Sequence, residues 1–140
     1  MFFGKFYHNL DDKGRLMIPS KMREQAGSRV YVIRGFEGCL SVYKEADFQT
    51  YAASLSNLSF THKQTRDVQR LGLSSTLELD VDKQGRIQIP SQTLVEYHFS
   101  KNVVIVGVMN HFEIWDEEAW KKYEDSNSKK YEEIAETLPL

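Results

Sequence analysis

The 140-residue chain contains a single cysteine and only three prolines. Cys39 therefore has no internal disulfide partner, and one thiol cannot build a multi-thiolate metal site. No run of 18 apolar residues occurs, so no segment is expected to span a membrane as a helix. The opening Met1-Phe2-Phe3-Gly4-Lys5-Phe6-Tyr7-His8 lacks an apolar stretch and a small-residue cleavage site, which argues against a signal peptide. His8, His62, His98 and His111 are scattered without an HxH or HExxH spacing, so no metal and no cofactor is expected. There is no Ser/His/Asp elbow and no phosphate-cradling glycine loop, and Cys39 has no histidine close in sequence to activate it. Asp11 and Asp82 could suggest an acid/base pair, but each stands where a tight turn favours Asp for backbone bonding. Nothing argues for an enzyme, and a cytoplasmic protein is the default expectation.

With 41% hydrophobic and 27% charged residues, the composition is that of a globular chain large enough for one ordinary domain. A net charge of −2 hides an uneven distribution. Residues 1–112 carry 14 basic and 11 acidic side chains, whereas residues 113–140 carry 9 acids against 4 lysines. The body is mildly basic and the acidic excess sits at the C-terminal end, so nucleic-acid binding is not excluded by the overall sign.

Two segments repeat. Residues 11–20 read D-D-K-G-R-L-M-I-P-S and residues 82–91 read D-K-Q-G-R-I-Q-I-P-S, identical at six of ten positions. The parallel continues from Tyr31-Val32-Ile33 to Val103-Val104-Ile105. It runs on from Leu40-x-Val42-Tyr43 to Phe112-x-Ile114-Trp115, and from Phe48-x-x-Tyr51 to Trp120-x-x-Tyr123. In each unit a short strand (Tyr7–Leu10; Leu77–Val81) runs into a D-x-x-G turn and out along an Arg-[Leu/Ile]-x-Ile-Pro strand, as a hairpin. Gly14 and Gly85 supply the positive φ, Asp11 and Asp82 bond the turn amides, and Ser20 and Ser91 cap short helices. Two β-branched strands and an amphipathic helix complete each unit. Between the units, Thr61 is a candidate N-cap for a helix from Lys63 to Leu71 that stops at Gly72.

Neither unit alone covers its strand edges, so two copies are expected to close on each other. The predicted fold is mainly β with short helices: two tandem β-α-β repeats closing into one pseudo-twofold β-barrel. The first repeat is assigned to residues 1–55, a connector with a helix to 56–76, the second repeat to 77–125, and an acidic helical tail to 126–140. Asp116 is the expected cap of the helix that closes the second repeat and leads toward this tail.

The two loops carry the sharpest chemical signal. Arg15 and Arg86 flank polar turns that also hold Lys13, Lys83 and Gln84. On one reading each Arg merely pairs with its own Asp in a surface ion pair worth about 0–1 kcal/mol. On the other, a rigid body presents a duplicated basic loop whose arginines, held by the neighbouring Asp, bond guanine or phosphate. Lys63, Arg66 and Arg70 share one face of the connector helix, which reads as an ordinary solvated face that phosphate could also contact. The aromatics Phe48, Tyr51, Trp115, Trp120 and Tyr123 read as packing.

The start Met1-Phe2-x-Gly4, the stretch Asn9-Leu10-Asp11-x-Lys13-Gly14-Arg15-Leu16-x-Ile18-Pro19 and the second copy Asp82-x-x-Gly85-Arg86-Ile87-x-Ile89-Pro90 resemble the MraZ family of bacterial transcription factors, within the AbrB/SpoVT/MazE-like superfamily. The resemblance covers roughly residues 1–125. It implies two AbrB-like halves in one chain and a ring-shaped homo-oligomer. It also implies double-stranded DNA as partner, read as direct repeats upstream of the protein's own gene in the division and cell-wall cluster, and association with the nucleoid. Carried over residue by residue, Arg15 and Arg86 would be the DNA contacts, with Lys13 beside the first. Lys83-Gln84 replace Asp12-Lys13 at the second tip, so unequal contributions are expected. Two alternatives stand beside this one: an antitoxin-like regulator that binds another protein, and a ring-forming scaffold without a DNA role.

Overall fold

The computed structural model describes residues 1–140. Eight strands and six helices follow one another, with the same order of elements in both halves. The first half contains β1 (Lys5–Asn9), β2 (Arg15–Met17), α1 (Ser20–Ala26), β3 (Arg29–Arg34), β4 (Leu40–Lys44) and α2 (Glu45–Ser56). After α3 (Lys63–Ser74), the second half contains β5 (Leu77–Asp80), β6 (Arg86–Gln88), α4 (Ser91–Glu96), β7 (Asn102–Gly107), β8 (Phe112–Asp116) and α5 (Glu117–Asn127). A 3₁₀ turn at Ser128–Lys130 leads into α6 (Tyr131–Glu136).

Six strands form one antiparallel sheet in the order β1-β7-β8-β4-β3-β5, and β2 and β6 form a separate two-stranded ribbon. The halves meet at β4–β8, where Leu40 faces Ile114 and Val42 faces Phe112. Each half also lends its first strand to the other: β1 pairs with β7, Phe6 facing Ile105, while β5 pairs with β3, Leu79 facing Val30. This corrects the hairpin expectation, since the D-x-x-G turn joins strands that are not ladder partners. The reason lies in burial. Leu16 and Ile87, at the centres of three-residue strands, are fully buried and face one another across the β2–β6 ladder. A strand this short gains more by burying that residue against its counterpart than by extending a local hairpin. The sheet ends at β1 and β5, so the barrel closure expected from the sequence is not among its ladders.

The main core lies beneath the ribbon. Leu16, Ile18, Ile87 and Ile89 pack there with Val30, Val32, Val42, Val103, Ile105, Phe112 and Ile114. The buried pairs Val30/Val32 and Val103/Ile105 share this face, whereas Val104 packs with Cys39 and Trp115 on the other. The equivalence suggested by the sequence, Tyr31–Ile33 with Val103–Ile105, is thus shifted by one residue, because strand faces alternate with period two.

The aromatics pack the helices onto the sheet. Phe48 stacks on Tyr31 at 4.7 Å and Tyr51 on Tyr43 at 5.2 Å, while Trp120 and Tyr123 lie 5.2 and 5.0 Å from Trp115. Helix α3 runs through Gly72 to Ser74, three residues beyond the expected end, because Gly72 is buried against Ile33 and lets the helix approach the sheet. Ser75 and Thr76 hydroxyls take the last carbonyls instead. Four expected side-chain caps are not made. Ser20 and Ser91 are the first helical residues after Pro19 and Pro90, Thr61 bonds Ser59 rather than α3, and Asp116 Oδ1 accepts from the backbone N–H and hydroxyl of Ser100.

Candidate nucleic-acid interface

The D-x-x-G-R sequence builds the same loop twice. Asp11 Oδ1 accepts from the amides of Lys13 (2.9 Å) and Arg15 (2.8 Å), and Asp82 Oδ1 accepts from those of Gln84 and Arg86, both at 2.9 Å. Gly14 (φ 76°) and Gly85 (φ 81°) donate back to the carbonyls of Asp11 and Asp82. The second carboxylate oxygen of each Asp holds its arginine: Arg15 Nε donates to Asp11 Oδ2 at 2.6 Å, and Arg86 Nε to Asp82 Oδ2 at 2.9 Å. The amide and guanidinium donors of Arg15 hold the Asp11 carboxyl below the usual aspartate range, and those of Arg86 do the same for Asp82. The surface ion pair weighed from the sequence is therefore present in both loops. It uses only Nε, and the Nη atoms of both arginines find no partner in the protein. Each guanidinium is fixed at its stem and open at its bidentate end.

The halves interlock here. Ile89 N donates to the carbonyl of Gly14 and Ile18 N to that of Gly85, each at 2.9 Å, so each loop is stitched to the strand of the other half. Because Leu16 and Ile87 point inward, Arg15, Met17, Arg86 and Gln88 project from the outer face of the ribbon. Arg15 lies directly across from Gln88, and Met17 across from Arg86. The two arginines are therefore diagonal neighbours, about 7–8 Å apart at Cα. The lysine tips Lys13 and Lys83 carry no ion pair, and Gln84 engages only through its amide.

The sequence has relatives among known proteins. A family model described as "MraZ protein, putative antitoxin-like" matches residues 1–71 and 73–140. The chain belongs to the MraZ family. It is 45% identical over 139 residues to the transcriptional regulator MraZ of Mesoplasma florum, covering 99% of this chain and 95% of that one. Relatives under the same name in Lactobacillus delbrueckii subsp. bulgaricus and Finegoldia magna are 43% and 38% identical over 138 residues, each covering 99% of this chain and 96% of theirs.

Three residues on or beside the ribbon were not singled out in the sequence. Met17 and Gln88 share the outer face with the arginines, and alternation along β2 and β6 is the signal that identifies them. Arg23 escaped because its place depends on the other half: it lies over Gly85, and its Nη2 donates to the Ile18 carbonyl (3.1 Å) and contacts Met17 Sδ (3.2 Å). At the corresponding place beside Gly14 stands Leu94. The two loops are thus flanked unequally, by a cation at one and an aliphatic at the other.

The connector helix offers less. Lys63 pairs with Asp67 at 2.6 Å, Arg66 Nη1 donates to the carbonyls of Phe60 and Thr61, and Arg70 lies over the Phe60 ring. Cys39 is buried with its thiol on the Phe36 carbonyl, and burial together with the nearby Glu113 carboxylate pushes the thiol well above its ordinary range. No helix is long and apolar enough to cross a membrane.

Proposed function

We propose that this chain is a sequence-specific DNA-binding transcriptional regulator that lays the β2–β6 ribbon in the major groove. One observation carries the reading: two arginines stand on one outward ribbon face, each held through Nε by its own aspartate with the Nη end open. A two-stranded ribbon fits a major groove, and an open guanidinium matches guanine O6 and N7 or a phosphate. A spacing of about 7–8 Å between the two corresponds to about two base-pair steps of 3.4 Å. Arg15 and Arg86 are the base contacts in this proposal, Lys13, Lys83 and Gln84 the flanking contacts, and Asp11, Gly14, Asp82 and Gly85 the residues that hold the loops. The name transcriptional regulator borne by the relatives supports it.

The finer proposals rest on the family resemblance. The two halves are tandem AbrB-like repeats, and copies assemble as a ring on direct repeats upstream of the protein's own gene in the division and cell-wall cluster, at the nucleoid. The reaction is binding, without catalysis or cofactor. The antitoxin-like reading has one observation of its own, the exposed Tyr131, Ile134 and Leu138 of the C-terminal segment, which a protein partner could cover.

Fluorescence anisotropy with labelled duplex from that upstream region tests the main reading. Losing one bidentate base contact costs about 1–3 kcal/mol, so Arg15→Ala and Arg86→Ala should each weaken binding about 5- to 150-fold with circular dichroism unchanged. A folded double variant that binds with wild-type affinity removes the ribbon from the mechanism and leaves the protein-partner reading.

A further inference from the structure

The outer face of the ribbon is symmetric at its arginines and asymmetric between them. The position across from Arg15 is Gln88, and the position across from Arg86 is Met17. Their side chains differ in what they can offer a base. Gln88 is exposed, and its Nε2 donates to the Lys13 carbonyl of the opposite loop at 3.0 Å. A primary amide has two N–H donors and one carbonyl acceptor. One N–H is therefore used to hold the side chain against the first loop, while the second N–H and Oε1 have no partner in the protein. When the N–H anti to Oε1 makes the Lys13 bond, the remaining N–H lies beside Oε1, and that donor-acceptor edge complements N7 and N6 of adenine in the major groove. Met17 has only a thioether, already in contact with Arg23 Nη2, and presents no hydrogen-bonding edge.

Building on the DNA-binding reading above, we propose that Gln88 is a specificity-determining residue that reads an adenine beside the base pair met by Arg15, and that the Gln88/Met17 difference gives the ribbon a direction along the DNA. One end reads through an Arg–Gln pair and the other through an Arg–Met pair, so the site of a single chain is not a palindrome. The anchoring bond to Lys13 means the glutamine meets the base already restrained, which lowers the ordering cost of contact. Because the contact is to a base edge and not to phosphate, it adds sequence preference without adding to the salt dependence of binding.

The test uses the full-length protein and a randomised duplex pool, followed by affinities for single-base variants of the selected site at several salt concentrations. Wild-type protein should select an adenine at one position and lose about 5- to 150-fold in affinity when guanine replaces it. In Gln88→Ala and in Gln88→Met, which copies the side chain of Met17, that position should lose its preference. The positions read by the arginines should keep theirs, and the slope against salt should not change. Uniform weakening on all sequences with every preference intact would overturn the proposal and leave Gln88 as a support for the Lys13 loop. Selection of no adenine by the wild type would overturn it as well. Arg15→Ala and Arg86→Ala are measured in parallel. If neither weakens binding the DNA-reading ribbon itself fails, whereas arginine dependence with indifferent Gln88 variants refutes only this inference.

Discussion

Substituting Gly14 by alanine tests the interlocked ribbon against a control within the same chain. Gly14 lies at φ 76°, and a Cβ there would stand 2.5 Å from the Ile89 carbonyl oxygen and 3.2 Å from Leu94 Cδ1. Gly38 has a similar φ of 87°, yet a Cβ there meets nothing within 4 Å. Both alanines carry the left-handed backbone cost of about 1–2 kcal/mol. Both recover about 0.4–1 kcal/mol because alanine restricts the unfolded chain. Gly38→Ala should therefore destabilise by roughly 0.5–1 kcal/mol. Gly14→Ala must in addition push the Ile89 carbonyl away, straining the Ile89 N–H···O=C Gly14 bond of 2.9 Å that ties the first loop to the second half. Losing that bond adds about 0.5–1.5 kcal/mol and the steric shift about 1–3 kcal/mol, for a total of roughly 2–5 kcal/mol. Urea unfolding at one fixed protein concentration, followed by far-ultraviolet circular dichroism, reads the difference between the two variants. Equal losses at Gly14 and Gly38 would refute the close approach of the loop to Ile89, and with it the stitching of the two halves through the loops.

Three further outcomes are expected, the first from the loop geometry and the other two from the proposed assembly. Asp11 and Asp82 titrate below the usual aspartate range, so the charged form holds the loops; their ordering contribution is present above the unfolded aspartate value and lost as pH falls through the lowered folded value. The Nε–H resonances of Arg15 and Arg86 should move with that acid titration and should be insensitive to it in Asp11→Asn and Asp82→Asn respectively; a wild type whose resonances do not respond would refute the anchoring. Light scattering at micromolar concentration should show a multimer, and deleting residues 126–140 should leave DNA recognition intact while changing oligomer size or raising nonspecific affinity at low salt. A strict wild-type monomer, or a full-sized truncated multimer that no longer recognises its site, would contradict this.

Much of the local structure was legible because it depends on neighbours in the chain. Asp11, Gly14 and Arg15 form their loop with bonds spanning four residues, and Asp82, Gly85 and Arg86 repeat it. Positive φ at glycine and an aspartate bonding its own turn amides are properties of the segment itself, as is the alternation that turns Leu16 and Ile87 inward. Strand and helix positions followed from the same short-range patterns, to within a few residues. What β1 pairs with could not be read this way. Lys5–Asn9 presents the same alternating edge to β2 across the turn as to β7 almost a hundred residues away. The choice depends on burying Leu16 against Ile87 and Phe6 beside Ile105 together, a condition that exists only when both halves are assembled. The quartet of Arg15, Met17, Arg86 and Gln88 is likewise a product of pairing between strands 71 residues apart. Local bonding chemistry therefore determined the two loops from sequence alone, whereas the shared burial of a core that neither half can complete decided that the loops form one face.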